Sequence, residues 1–347
     1  MPVSLDEVYI AVIGAGRVGN CFLKQLAYLR KSCPSPCLRL CYIGIIGRAL
    51  HHVDYSEVEI DTALGKLKSQ GQAPPSIPWI IDYLAAAPSK VVLVDNTSAS
   101  DLAEAYPLFL RRGISIMTPN KKAFSGSYQL WQDIFSGAKS AGSHLFHETS
   151  VGAGLPIIST LKDLIVTGDE ITQGGGQKWS VTVRKAKQLG YTEPDPRDDL
   201  NGIDIARKLT ILSRLAGLPI ESPTSFLLQN LVPQELQAVQ SGEEFLQRLP
   251  EFDNQMEMHK AAAEREGKFV RFVGSIDMPS REVKVGMERF ARSHPIAALQ
   301  GSDNIISFYT RRYGENPLIV EGAGAGGDVI AMGVSGDLLK TLPHIAW

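Results

Sequence analysis

The chain has little net charge and no long apolar run. Its 35 lysines and arginines nearly balance 37 acidic residues, for a net charge of −2, so no sequence-wide positive field exists to attract nucleic acid. No apolar stretch approaches the roughly 20 residues of a transmembrane helix, and the start MPVSLDEVYI has no basic and apolar secretion signal. We therefore expect a cytoplasmic protein with no nucleic-acid partner and no membrane partner.

Cysteine is also scarce, and its four residues are confined to one segment: Cys21, Cys33, Cys37 and Cys41. The spacing of four between the last three permits a zinc site, but Pro34 and Pro36 interrupt that segment. We favour reduced thiols, as is usual in a cytoplasmic protein, over a metal site.

The first part of the chain alternates apolar strands with helices, which is typical of an α/β protein with a Rossmann-type, doubly wound parallel sheet. The predicted strands are Val8–Ile13, Leu38–Ile46, Val91–Val94, Ile114–Met117 and His144–Glu148. The predicted helices between them are Val18–Arg30, Leu102–Arg112 and Trp131–Ala141.

The regular alternation of strands and helices ends past Gly152, where helices and longer strands predict a second α+β domain with a mixed sheet. Predicted helices are Pro156–Leu164 and Leu200–Leu215, and predicted strands are Phe269–Ile276, Glu282–Phe290 and Asn304–Tyr309. We expect a dinucleotide-binding domain over 1–150, to which a strand and helix in 318–347 return, and a catalytic and dimerisation domain over 151–317.

A glycine-rich turn follows the first strand at once: Gly14, Ala15, Gly16, Arg17, Val18 and Gly19. In this position the first glycine permits a tight turn, the second lets the backbone approach a pyrophosphate, and the third lets helix pack on strand. The helix N-terminus then faces the phosphates. A plain strand-to-helix turn needs fewer glycines, so these residues predict a dinucleotide site.

The second strand helps to indicate which dinucleotide is bound. It ends at Gly47 and Arg48 without the carboxylate that usually contacts the ribose of NAD. The Arg48 guanidinium could pair with a 2′-phosphate, or it could be a solvated surface side chain. We favour NADP(H), with NAD(H) left open.

Four stretches resemble the homoserine dehydrogenases in their short fungal form, which lacks a regulatory or kinase extension. They are residues 118–124 (TPNKKAF), 148–156 (ETSVGAGLP), 189–208 (LGYTEPDPRDDLNGIDIARK) and 322–326 (GAGAG). The third is the most specific, and the similarity extends over nearly the whole chain.

The resemblance implies an NAD(P)-dependent oxidoreductase that interconverts L-homoserine and L-aspartate 4-semialdehyde, on the route to threonine and methionine. It implies a homodimer or a dimer of dimers. The catalytic residues that it implies are Lys208 as the acid/base, Lys122 near the reacting carbon, and Asp204. The implied substrate-binding residues are Glu193, Asp199 and Asp204.

The resemblance also implies further contacts to the cofactor and to a monovalent cation, usually sodium. The added cofactor residues are Thr97, Ser98, Asn120, Lys122 and Gly326. The cation would be bound by the side chain of Glu148 and by the carbonyls of Val151, Ala153 and Leu155. Hard cations prefer such oxygen ligands, although a simple glycine turn explains Gly152 and Gly154 equally well.

Helical periodicity is consistent with the role given to Lys208. Because Asp204 and Lys208 are four residues apart, they share one face of the predicted helix, beside an apolar stripe. The alternative is an exposed ion pair that only stabilises the helix. In the acidic loop before it, Asp198 or Asp199 could instead cap that helix.

One segment departs from the family pattern. Family members carry a Phe-Ser-Gly-Thr type motif between the equivalents of residues 168–171 and 174–176, and this chain does not. That motif contributes a strand of the dimer sheet and backbone contacts to the substrate. A catalytically impaired nucleotide-binding relative is therefore one alternative, and another amino-acid dehydrogenase on the same scaffold is a second.

Overall fold

The computed structural model describes residues 7–32, 36–166, 195–299 and 303–345. The chain divides into two compact units, one formed by residues 1–155 with 326–347 and the other by residues 156–325. Over the described ranges, no helix combines the length and the apolar character needed to cross a membrane.

The first unit is built on one sheet of six strands. They are β1 (Glu7–Ile13), β2 (Cys37–Ile45), β3 (Arg48–His51), β4 (Lys90–Asp95), β5 (Ser115–Met117) and β6 (Leu145–Phe146). The order is β3-β2-β1-β4-β5-β6, and every pair is parallel except β2 and β3. The chain leaves β1 for β2 on one side and reaches β4 on the other, so the order reverses at β1.

Helices connect these strands. They are α1 (Arg17–Ser32), α2 (Ala63–Gln70), α3 (Ile77–Ala85), α4 (Ser100–Glu104), α5 (Tyr106–Arg111), α6 (Lys121–Ser125) and α7 (Tyr128–Ala141), with short 3₁₀ turns at Ile60–Thr62 and Glu148–Ser150. The apolar core joins β1, β2 and β4 to α1 through residues such as Ile10, Phe22 and Val92, all fully buried. These elements bear out the predicted α/β sheet.

The second unit contains two further sheets. Its helices are α8 (Ile157–Val166), α9 (Arg197–Leu200), α10 (Ile203–Leu215), α11 (Gly242–Arg248), α12 (Asp253–Arg265) and α13 (Pro295–Ala298). Its strands are β7 (Leu227–Leu228), β8 (Lys268–Asp277), β9 (Glu282–Ala291), β10 (Asp303–Phe308) and β11 (Leu318–Ala323). The sheet β7-β9-β8 is mixed, as expected, because β7 runs parallel to β9 and β8 antiparallel to it.

Helix α10 is fixed on β8 by close packing at Gly274. A Cβ atom at Gly274 would lie 2.7 Å from Leu209 Cδ1 and 2.8 Å from Ile205 Cγ2, so only glycine lets the helix approach this closely. Leu209 and Ala206 are buried there with Phe272 of β8. This contact sets the orientation of the polar face of α10 that lies beside it.

Three predicted elements differ from the observed ones. The predicted helix 102–112 is two helices that meet at Ala105, because Pro107 has no N–H to donate and lies in the first turn of α5. The predicted helix 200–215 breaks at Gly202, whose φ is +78°. The strand predicted to return to the first domain, β11, pairs antiparallel with β10 inside the second unit. Only the final helix, α14 (Gly327–Ile345), belongs to the first unit.

Candidate active site

The glycine turn between β1 and α1 lies at the point where the strand order reverses. Gly14 has φ +92°, and a Cβ there would lie 2.8 Å from the carbonyl carbon of Asn96. The backbone N–H groups of Gly14 and Ala15 both donate to the carbonyl of Gly44, at 2.9 and 3.0 Å. The turn is therefore held between the ends of β2 and β4, at the crevice where doubly wound sheets bind ligands.

The other two glycines serve different purposes. At Gly19, a Cβ would lie 2.2 Å from the Gly14 carbonyl oxygen, so this glycine allows the first turn of α1 to approach the loop. At Gly16, apart from its immediate neighbours in the chain, no atom of the described residues lies within 4 Å of the Cβ position. The backbone of Gly16 is thus open to a ligand, which fits the role expected of the second glycine.

A residue that sequence reasoning missed, Asn96, lies against this turn. Both polar atoms of its amide are buried, and in the described part of the chain neither has a hydrogen-bond partner. Its Nδ2 would lie 3.6 Å from a Cβ at Gly19, which places the amide beside the glycine turn. Buried amides without partners are costly, so an unpaired amide next to an open glycine backbone fits a polar ligand such as a dinucleotide.

The remaining predicted cofactor residues of the first unit lie around the same turn or at the ends of β4 and β5. Arg17 and Val18 begin α1. Gly327, the first residue of α14, packs against Arg17, because a Cβ atom at Gly327 would lie 3.2 Å from Arg17 Cγ. Gly326, with φ +118°, precedes that contact. Thr97 Cγ2 lies 2.8 Å from the Cβ position of Gly14, whereas Ser98 is exposed.

Arg48 stands at the start of β3, directly after the turn at Gly47. Its side chain is exposed and donates a hydrogen bond to the carbonyl of Lys68. Arg48 is therefore at the end of β2 where a 2′-phosphate would be expected, and its guanidinium already has one partner.

A buried polar network joins the loops after β4 and β5. The Asp95 carboxyl, fully buried, accepts hydrogen bonds from the Thr97 N–H at 2.7 Å, from the Asn120 amide at 3.2 Å and from the Tyr106 hydroxyl. Asn120 in turn accepts from the Lys122 N–H at 3.1 Å and so caps α6. The predicted residues Asn120 and Lys122 are thus brought together, whereas Asp95 and Tyr106 were not predicted.

In the second unit, Lys208 and Asp204 share the polar face of α10. The Lys208 Nζ lies 3.0 Å from the Asp204 Oδ2, and their side chains are 24% and 27% exposed. This half-buried pair lies in the helix whose other face packs on β8. The Lys208 ammonium is therefore partly exposed and has a carboxylate beside it.

The acidic loop before α10 is only partly described. Glu193 and the departure from the family pattern between 171 and 174 lie outside the described residues, as does the side chain of Asp199. Asp195 accepts from the Arg197 N–H at 3.0 Å and forms an ion pair with its guanidinium. The first turn of α9 is therefore anchored by Asp195, while Asn201 accepts from the Ile203 N–H at the start of α10.

The predicted cation ligands surround a tight turn in the first unit. Gly152 and Ala153 both have positive φ, +77° and +54°, and Ala153 is a residue type that rarely adopts this conformation. Glu148 is buried; its N–H donates to Asp337 at 3.1 Å, and its Oε2 lies 3.8 Å from Lys340 Nζ. The positive φ values therefore mark a strained turn close in sequence to the buried Glu148 carboxylate, which has the Lys340 ammonium beside it.

The cysteines show features of packing residues. Cys41 is fully buried in β2, and burial raises the pKa of its thiol to about 12. Cys21 and Cys37 are free and half-buried, and Cys33 lies outside the described residues. Within those ranges, no group of three or more His, Cys, Asp or Glu side chains is arranged to hold a metal ion.

The parallel sheet, the glycine turn at its switch point and the open backbone of Gly16 together define a dinucleotide-binding protein. Comparison with known families is more specific. The model of the homoserine dehydrogenase NAD-binding domain matches residues 14–148, and the homoserine dehydrogenase model matches residues 157–339. The chain belongs to the homoserine dehydrogenase family, a family of NAD(P)-dependent oxidoreductases.

Fungal relatives match along almost the whole chain. The homoserine dehydrogenase of Paracoccidioides brasiliensis is 48% identical over 379 aligned positions that cover 99% of this chain and 100% of the relative. That of Saccharomyces cerevisiae is 42% identical and covers 97% of this chain and 99% of the relative. The alignment with the Paracoccidioides brasiliensis relative is 379 positions long, 32 more than the 347 residues of this chain. At least 32 aligned positions therefore carry a residue in that relative and none in this chain.

Solved structures agree on the fold. A Candida auris protein of unknown function superposes with a TM-score of 0.89 at 43% identity, over 98% of this chain and 99% of that one. A hyperthermophilic archaeal homoserine dehydrogenase in complex with NADPH gives 0.71 at 21% identity, over 96% and 97%. The second comparison supports the fold alone, because its identity is low.

Proposed function

We propose that this chain interconverts L-homoserine and L-aspartate 4-semialdehyde with a nicotinamide dinucleotide. The observation that carries the proposal is its 48% identity, over nearly its full length, to a fungal homoserine dehydrogenase. The open Gly16 backbone and the unpaired Asn96 amide support a dinucleotide at the glycine turn. When bound, the nicotinamide would accept or supply the hydride.

Lys208 is assigned the acid/base role. Reduction of an aldehyde builds negative charge on its oxygen, and the Lys208 ammonium can donate a proton to that oxygen. In the reverse direction the neutral amine removes the proton of the alcohol. Asp204, 3.0 Å from Lys208 Nζ, orients that amine. Lys122 would lie near the reacting carbon, and Glu193 and Asp199 would join Asp204 in holding the substrate ammonium.

The direct test is NADPH absorbance in the presence of aspartate semialdehyde and the purified protein. Consumption of NADPH supports the proposed reaction. Binding of NADPH without consumption would instead favour the catalytically impaired relative, and consumption with oxaloacetate and ammonia would favour another amino-acid dehydrogenase. We place the reaction in the cytoplasm and propose that the enzyme acts as a homodimer, which sedimentation velocity would test.

For the cofactor, we propose a preference for NADP(H) that depends on Arg48. Arg48→Ala should reduce kcat/KM for NADPH by about tenfold, because a guanidinium–phosphate pair is lost, and should change the value for NADH much less. Steady-state rates with both cofactors measure this. Arg39→Ala, at a guanidinium paired with Glu7 in β1, is the matched control. Equal loss with both cofactors would contradict a role in binding the 2′-phosphate.

We also propose a sodium site at Glu148 with the carbonyls of Val151, Ala153 and Leu155. Replacing the carboxylate by an amide in Glu148→Gln keeps an oxygen ligand but removes the charge. The sodium concentration that gives half-maximal thermal stabilisation should therefore rise by about tenfold or more. Melting curves against sodium chloride, with potassium chloride at matched ionic strength, measure this. Glu104→Gln, at an exposed carboxylate, serves as the control. A wild-type melting temperature that does not change with sodium concentration would contradict the site.

A further inference from the structure

Asp95 connects two loops that carry proposed cofactor residues. Its Oδ1 accepts from the Thr97 N–H at 2.7 Å, in the loop after β4. Its Oδ2 accepts from the Asn120 amide at 3.2 Å, in the loop after β5. Because Asn120 also caps the helix that carries Lys122, one carboxyl group holds both loops through single hydrogen bonds.

The surroundings of Asp95 make this connection rigid. Tyr106, fully buried in α5, donates to Asp95 Oδ2, and its hydroxyl lies 2.9 Å from that of Thr118. Thr118 donates to the Asp95 carbonyl at 2.8 Å and accepts from the Asn120 N–H at 2.9 Å. The three groups that donate to the carboxyl carry no formal charge, so its place depends on these hydrogen bonds alone.

Burial works against the ionised carboxylate. It raises the pKa of Asp95 above the ordinary value, although the hydrogen bonds from Tyr106, Thr97 and Asn120 act in the opposite direction. Burial, together with the neighbouring Asp95, also raises the pKa of Tyr106 well above its ordinary value. A buried carboxyl group that is held by donors from two loops and from α5 carries a desolvation cost that a purely structural core does not require.

We propose that Asp95 and Tyr106 are positioning residues for the cofactor, which hold Thr97 and the Asn120–Lys122 segment in their binding geometry. This inference rests on the proposed function of the site. It extends that function to two residues that do not themselves contact the ligand. Tyr106 fixes the carboxyl, and the carboxyl fixes both loops.

The substitution Asp95→Asn tests the inference because it keeps the size of the side chain but replaces one acceptor oxygen by an N–H donor. The amide oxygen can still accept from the fixed Thr97 N–H, but the new Nδ2 then faces the Asn120 amide, donor against donor. We expect the dissociation constant for NADPH to rise about tenfold and KM for NADPH to rise with it, while KM for aspartate semialdehyde changes by less than about twofold. Tyr106→Phe removes one donor and should weaken NADPH binding by about threefold.

Matched controls are Asp82→Asn, an exposed carboxylate of the same unit paired with Arg112, and Tyr28→Phe, whose side chain is 69% exposed. NADPH fluorescence gives the dissociation constants, and melting curves without ligand give the folded fraction. If both variants melt earlier but bind NADPH as the wild type does, the network is merely structural and the inference is overturned. Because NADPH binding is measured separately, a wild type that binds NADPH without turnover would contradict the proposed reaction and leave this comparison valid.

Discussion

Lys208→Ala should lower kcat for the reduction of aspartate semialdehyde by about 10²- to 10⁴-fold, the range that a positioned acid or base contributes. The dissociation constant for NADPH should not change, because the substitution removes no group proposed to contact the cofactor. The loss of the ion pair with Asp204, at 3.0 Å in α10, should cost only about 0.3–0.5 kcal/mol of stability. Absorbance of NADPH under single-turnover conditions measures the chemical step directly.

Two further variants separate catalysis from helix stabilisation. Lys208→Arg keeps a cation next to Asp204 but cannot readily release its proton, so it should also be slow. Lys260→Ala breaks a comparable ion pair with Glu257 on the surface of α12 and should leave kcat unchanged. A Lys208→Ala enzyme with wild-type kcat and a slightly lower melting temperature would show that the pair only stabilises the helix.

The sequence predicted β1, β2, β4 and β5 of the first sheet because these strands are largely apolar runs that end in glycine or polar turns, whereas the short, partly polar β3 was not predicted. The glycine turn could also be predicted, because its residues are contiguous and the roles of its three glycines depend on backbone geometry that only glycine allows. The i,i+4 spacing of Asp204 and Lys208 similarly predicted a shared face, since helix geometry fixes it. Hydrophobic periodicity was less informative about where a helix ends, because a single residue can end it. The break at Gly202 arises because a Cβ there would lie 2.7 Å from Leu228 Cδ1, a contact 26 residues away along the chain.

Parts of the candidate site depend on tertiary contacts that no local pattern encodes. Asp95 follows an apolar strand and gives no signal of its own, because its partners Tyr106, Thr118 and Asn120 reach it from α5 and from the loop after β5. The Asn96 amide becomes notable only when its atoms are seen to be buried without partners beside Gly19. The one signal that could have indicated them is their position, since Asp95 ends β4, the strand on the far side of the reversal in strand order, and Asn96 follows it.

The glycine turn allows ligand binding and folding to be tested at separate residues. Gly16→Ala should leave the melting temperature close to that of the wild type, because the described part of the chain places no non-neighbouring atom within 4 Å of the added Cβ, and φ is not positive. The same methyl group would occupy the space where the backbone approaches a pyrophosphate, so the dissociation constant for NADPH should rise about tenfold or more. Gly65→Ala is the control, because its Cβ position is likewise open among the residues that the structure describes.

Gly19→Ala should have the opposite profile. Its Cβ would lie 2.2 Å from the Gly14 carbonyl oxygen, so the first turn of α1 must move away from the loop, and stability should fall by about 1–3 kcal/mol or more. NADPH binding should weaken as well, because the same movement displaces the N–H groups at the helix start. Melting curves and NADPH titrations on both variants measure the two effects.

Wild-type NADPH affinity in Gly16→Ala would place the pyrophosphate elsewhere, whereas a wild-type melting temperature in Gly19→Ala would contradict the close contact with Gly14. The combination of a stable, non-binding Gly16→Ala and an unstable Gly19→Ala follows only if one glycine faces the ligand and the other faces the protein.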